Sequence, residues 1–260
     1  MGMNRGVRLA ALVAVACAAL VAVGAAVAAA TVVVTQNTTT WTQDDTRGGG
    51  AVSWTSTFGA PEGLGSSSLE LATTASTADK AGLYTHTMAG TPLADVTDLS
   101  YWTYQAQGPA VADASYQLQV ETGCGFTTLV YEPYWNGTPT AATWEQWDVD
   151  AGLFWSSKSI TCGDGTLVAG AGGPPLYTLA DVQAMFPDAT VTGIGVNIGT
   201  FNPDYRVAVD GVQFDDTIFD FETGTRPTSK DQCKDGGWAT FDDPSFANQG
   251  DCVSFAETGR

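Results

Sequence analysis

"YRVAVDGVQFDD" (205–216) carries two apolar pairs that are out of phase with each other. Val207 and Val209 share one parity, Val212 and Phe214 the other. Successive side chains of a strand point to opposite faces, so an unbroken strand would turn one pair into solvent. The slip falls at Asp210-Gly211. One inserted residue beside a glycine is what a β-bulge requires, because glycine takes positive φ without steric cost. The stretch therefore predicts a bulged strand with both pairs on one core face.

Short β-type runs of the same kind recur on either side, separated by Gly, Pro, Asp and Thr. They are "AVSWTSTF" (51–58), "SSLELAT" (67–73), "LSYWTYQA" (99–106), "ASYQLQVET" (114–122), "FTTLVYEPY" (126–134), "WEQWDVDAG" (144–152), "VTGIGVNIGT" (191–200) and "TIFDFE" (217–222). Many short strands at regular spacing predict an all-β sandwich. One segment breaks the pattern. In "TLADVQAMFP" (178–187), Leu179, Val182 and Phe186 recur at helical spacing, Thr178 or Asp181 supplies a cap, and Pro187 stops the run.

The N-terminus has Arg5 and Arg8 ahead of "LAALVAVACAALVAVGAAVAAA", which ends in Ala28-Ala29-Ala30. This is the pattern of a secretory signal cut near Ala30. The alternative is an uncleaved anchor, since the apolar run is long enough to span a bilayer. Cleavage removes two of the ten basic residues and none of the 28 acidic ones, so the net charge moves from -18 to -20. Such a surface repels nucleic acid and anionic lipid. The expected organisation is signal 1–30, linker or first strand 31–49, sandwich 50–224 and tail 225–260.

Four cysteines follow the signal, and an even count in an exported chain reads as two disulfides. Cys124 with Cys162 and Cys233 with Cys252 is the expected pairing, each within one segment. Zinc is disfavoured: there is no C-x-x-C, and His86 stands far from any cysteine. The tail after Pro227 is too short to bury a core of its own. It reads as a disulfide-tied cap, with Trp238 as its anchor and 242–244 as a turn.

"V-x-V-D-x-V-x-F" (207–214) resembles the closing strand of jelly-roll modules, and "TWEQWDVD" (143–150) resembles the aromatic-led strands of carbohydrate-binding-type sandwiches. The likeness runs over about residues 50–222 and implies an antiparallel jelly-roll β-sandwich. The tail "SKDQCKDGGWATF…FANQGDCVSF", with the body around "LADVTDLSYWT" and "GFTTLVYEPYWN", is similar to a family of secreted actinobacterial β-sandwich proteins. That resemblance implies a secreted β-sandwich and supplies no catalytic residues.

The chemistry on offer is limited. A glycosidase needs two carboxylates across a cleft, and the E-x-D-x-E strand spacing that would provide them is missing. "DVD" (148–150) is the nearest run and reads as a solvated strand face. His86 has no G-x-S-x-G and no free thiol to partner. Asp210, Asp215 and Asp216, near Asp220, could hold one structural calcium ion. Aromatics crowd the middle third. Tyr134, Trp135 and Asn136 sit in an apparent turn, "EPYWNG", and Trp155 enters a loop before Cys162. Exposed rings of this kind stack on sugars, whereas buried ones only pack. The expectation is a monomeric, non-enzymatic secreted module that binds carbohydrate or cell-wall glycan through Tyr134, Trp135, Asn136 and Trp155. A structural or adhesive surface protein and a polysaccharide hydrolase or lyase are the alternatives.

Overall fold

The computed structural model describes residues 29–242 and 244–258. Residues 1–28, on which the expected signal falls, with Arg5, Arg8 and Cys17, lie outside them, as do Asp243 and residues 259–260. In chain order the elements are β1 (Ala30–Val34), β2 (Trp41–Thr42), β3 (Ala51–Thr55), β4 (Ser68–Ala72), β5 (Ala81–Thr85), β6 (Leu99–Gln107), β7 (Ser115–Glu121), β8 (Phe126–Tyr131) and the single turn α1 (Pro133–Asn136). There follow β9 (Trp144–Asp148), β10 (Leu153–Ser156), β11 (Ile160–Cys162), β12 (Gly165–Leu167), β13 (Tyr177–Thr178), α2 (Leu179–Met185), β14 (Thr190–Ile198), β15 (Arg206–Phe214), β16 (Thr217–Phe221) and α3 (Gln249–Thr258).

Fourteen of the strands form a jelly-roll sandwich of two seven-stranded sheets, and β11 and β12 pair with each other in a small third sheet. The first sheet is built on β15, which has β6 and then β9 along one edge. On its other edge, β4 pairs with its first half and β16 with its second; β3 lies beyond β4 and β1 beyond β16. The second sheet runs β13-β10-β8-β7-β14-β5-β2. The pairs are antiparallel except β1 on β16, which is parallel. Leu69, Leu71, Leu99, Tyr101, Val207 and Val209 of the first sheet meet Leu83, Tyr116, Leu118, Leu129, Phe154 and Val196 of the second in one core.

The bulge expected in β15 is present. The register to β6 shifts between Asp210 and Gln213, and Gly211 has φ 54°. Val207, Val209, Val212 and Phe214 all lie in the core. Gly211 is also required sterically: a Cβ there would come within 2.7 Å of Leu64 and 2.9 Å of Trp102.

The expected helix is α2. Thr178 and Asp181 close a capping box on each other, and Leu179, Val182 and Phe186 are buried. Both expected disulfides are formed, Cys124–Cys162 and Cys233–Cys252. The first ties the β7–β8 turn to β11. The second closes the tail, where Phe241, Phe246 and Phe255 pack in series at 6.3 and 5.4 Å between ring centres. Trp238 is half-buried. Within the tail the Asp242 carboxylate accepts from Thr225 N, and the Asp242 carbonyl, accepting from the Asn37 amide, joins the tail to the segment between β1 and β2. Among the described residues no helix is long and apolar enough to cross a membrane.

Gly211→Ala should lower stability by about 2 kcal/mol, since a left-handed L-residue costs ~1–2 kcal/mol before any clash. Urea unfolding followed by tryptophan fluorescence measures it. A variant as stable as the parent would refute the packing and backbone role given to Gly211.

Candidate functional site

The two sheets differ on their outer faces. On the first, Phe58 stacks on Tyr104 at 5.4 Å, Tyr104 lies 5.6 Å from Trp144, and the Trp144 indole donates to the Phe58 carbonyl. The chain around Phe58 thus covers one end of that face with packed rings; at the other end Ser100, Gln146, Asp148 and Gln213 line an open polar cavity of about 470 Å³.

The outer face of the second sheet is polar and set by register. Tyr116, Leu118, Leu129 and Val196 point to the core, so their neighbours point out. One row across five strands reads Tyr84, Gly195, Gln117, Val130, Trp155. Beside it runs Gly82, Asn197, Ser115, and on its other side Gly193, Gln119, Thr128. The glycines leave room for one ring: a Cβ at Gly195 would stand 2.2 Å from Tyr84, and one at Gly82 2.8 Å from it. Tyr84 therefore lies flat on the sheet.

A hydrogen-bond chain fixes the floor. Gln117 Nε2 donates to Ser115 Oγ (2.7 Å), Ser115 Oγ to Asn197 Oδ1 (2.8 Å), and Asn197 Nδ2 to Tyr84 Oη (2.8 Å). Ser115, Gln117 and Asn197 are only 4–5 % exposed although they face outward, because loops rise around them. Two cavities of about 470 and 510 Å³ open over this floor and share Ser115, Glu132, Asn197 and the 199–202 loop. These are sizes at which small-molecule sites occur.

Of the four residues expected to bind, two reach this groove. Tyr134 lines the first cavity and is 49 % exposed, and Trp155 lines the second. Trp155 is on β10, not in a loop: its neighbour Phe154 is a core residue, which makes this a strand with one buried face. Trp135 stands edge-on to Tyr134 at 4.7 Å and donates its indole N–H to the Gly172 carbonyl, holding the loop at the rim. Asn136 is structural. Its amide donates to the carbonyls of Glu132 and Leu153 and accepts from Leu153 N, clamping α1 to β10.

The sequence reading missed Tyr84, Ser115, Gln117, Asn197, Glu132 and Phe201. Phe201 lines both cavities, is 81 % exposed and has φ 68°. Positive φ in a bulky residue is strained, and strain of this kind gathers at functional sites. An available sign was the alternation of polar Ser115, Gln117 and Gln119 with apolar Tyr116, Leu118 and Val120.

Two carboxyls line the first cavity. Burial pushes Glu132 up to about 7, offset in part by the Trp155 N–H beside it, although that N–H makes no hydrogen bond of good geometry. Burial likewise pushes Asp113 up to about 7, against hydrogen bonds from the Thr103 hydroxyl and Ala114 N. Tyr84 is pushed to about 12, chiefly by burial.

The other acids have separate tasks. Asp210 Oδ1 accepts from Gly211 N and Phe221 N. Asp215 accepts from Thr97 N and Asp98 N, and Asp216 from the Thr217 hydroxyl. These three do not converge on a shared calcium site. Among the described residues no group of three or more His, Cys, Asp or Glu is placed to hold a metal ion. Asp148 and Asp150 accept from Ala151 N and Leu99 N. His86 Nδ1 is 2.8 Å from the Thr192 carbonyl.

No protein-family model matches the chain, and no curated protein matches it. Among solved structures it is similar to the family 11 carbohydrate-binding module of the cellulosomal cellulase Lic26A-Cel5E of Clostridium thermocellum. The identity is 16 %, the TM-score 0.39, and the match covers 69 % of this chain and 89 % of that one. A family 11 module from Clostridium thermocellum in complex with a β-1,3-1,4-mixed-linked tetrasaccharide gives 15 %, 0.38, 72 % and 93 % in the same order. TmCBM61 in complex with β-1,4-galactotriose gives 11 %, 0.27, 65 % and 82 %.

The two cavity carboxyls set a pH dependence. Folded, both titrate at about 7; unfolded, at about 4. Between those values the folded chain holds protons that the unfolded chain has released. The stability they contribute is full below about pH 4 and lost as the pH rises through about 7. Asp113→Asn with Glu132→Gln should therefore show a shallower fall in Tm from pH 5 to pH 8 than the parent. An unchanged slope would contradict the shifts.

Proposed function

We propose that the chain is an exported, non-enzymatic glycan-binding module and that the outer face of the second sheet is its binding face. The observation that carries this is the Gln117–Ser115–Asn197–Tyr84 hydrogen-bond chain, flanked by Trp155, Tyr134 and Phe201. A sugar ring offers hydroxyls on its rim and C–H groups on its faces. An ordered row of amides and hydroxyls matches the rim, and aromatic rings match the faces. Fixing the amides in advance lowers the entropy that a ligand must overcome.

The groove weighs for binding over bond cleavage. Glycoside hydrolysis needs two working carboxyls, and Asp113 has both oxygens engaged by Thr103 and Ala114. The groove also weighs against a purely adhesive or structural protein, since buried polar side chains aligned under a cavity serve no packing need.

The test is a binding titration of soluble glycans, neutral and acidic, against the parent, Trp155→Ala and Gln117→Ala, with thermal unfolding as the check on folding. Each substitution should weaken binding by about tenfold, the ~1–2 kcal/mol of an interface residue that matters. The floor is held by its own hydrogen bonds, so EDTA should leave binding unchanged. Binding to no glycan, or binding untouched by both substitutions, would sink the proposal.

A further inference from the structure

Lysine is scarce, with four in the chain. Lys80 pairs with Asp45, Lys230 with Glu257 and Lys234 with Asp231. Lys158 is exposed and has no carboxylate within ion-pair distance among the described residues. Its ammonium lies 4.9 Å over the ring of Phe126, a contact that steadies a cation without cancelling its charge. Both side chains line the second cavity of the groove, as do Arg47 and Lys80. Arg47 and Lys80 share one carboxylate, Asp45. Three cations thus face two acids, Asp45 and Glu132, in this one cavity, on a chain whose net charge is -18. A cavity whose sign opposes that of the whole protein has a field focused on its ligand.

We infer that the groove takes an acidic glycan, one whose sugars carry ring-borne carboxylates, with a carboxylate seated at Lys158 and a sugar face on Trp155. This rests on the glycan-binding reading above and specifies its ligand class. A single ammonium matches a single negative charge, and the amide floor accommodates the uncharged hydroxyls of the same ring. The remote acidic residues oppose a polyanion at long range. That opposition is screened at about 0.15 M salt, where the screening length is about 8 Å, while the contact with Lys158 persists.

The experiment titrates the purified protein with polygalacturonate and with its methyl ester, which keeps the backbone and removes the charge, at about 0.15 M salt. The parent should bind polygalacturonate at least tenfold tighter than the ester. Lys158→Gln should bring the two polymers to equal affinity, and Trp155→Ala should weaken both. Equal binding of the two polymers by the parent, or a preference that survives Lys158→Gln, would overturn the inference. If neutral glycans bind in the panel and polygalacturonate does not, the inference fails and the glycan-binding reading stands. If nothing binds, both fail together.

Discussion

Everything in the first sheet depends on the bend in β15 at Asp210-Gly211. This strand pairs with β6 along one edge and divides the other edge between β4 and β16. A straight strand could serve only one of those two neighbours and would turn either Val207 and Val209 or Val212 and Phe214 outward. The extra residue resolves both conflicts. The Asp210 carboxylate secures it by accepting from the backbone N–H of Gly211 and of Phe221 on β16. A buried acid is costly unless hydrogen-bonded, and here its bonds fall on the two segments that the bend must hold together.

The second sheet keeps an outer face on which two cavities open. The rings of Phe58, Tyr104 and Trp144 pack over one end of the first sheet, while Tyr131 and Trp147 enter the core. What remains over the second sheet is a floor of amides and hydroxyls with Trp155 and Tyr134 beside it. The aromatic-rich middle third thus divides into three populations by strand parity and by which sheet a strand joins. Composition counts all of them alike; the register separates them.

That division explains what the sequence could reveal. The bulge, both disulfides and α2 were legible because each is a local pattern: a phase slip beside glycine, an even cysteine count, a Thr178–Asp181 box. Strand β5 escaped notice because Gly82 interrupts its alternation, and that same glycine is what lets Tyr84 lie flat. Helix α3 escaped notice because it is polar. Its start was nonetheless written in "NQGD": Asn248 Oδ1 accepts from Asp251 N, and the Asn248 amide donates to the Asp251 carboxylate. The site itself was half legible. Trp155 and Tyr134 were visible as aromatics next to turns, but Tyr84, Gln117 and Asn197 meet only through the pairing of β5, β14 and β7. No local pattern encodes that meeting.

The acidity of the chain and the polarity of the groove are compatible for a physical reason. Amides and hydroxyls bind through short, directional contacts that need no counter-charge, so a floor built from them works on a surface of any net sign. Charge acts differently, over a screening length of about 8 Å at physiological salt. A few cations at one cavity therefore determine what a ligand meets on arrival, while most of the chain's acidic residues lie outside the cavity. With Arg47 and Lys80 tied to Asp45, the proposed choice between a neutral and a charged sugar narrows to the ammonium of Lys158, which has no ion-pair partner among the described residues.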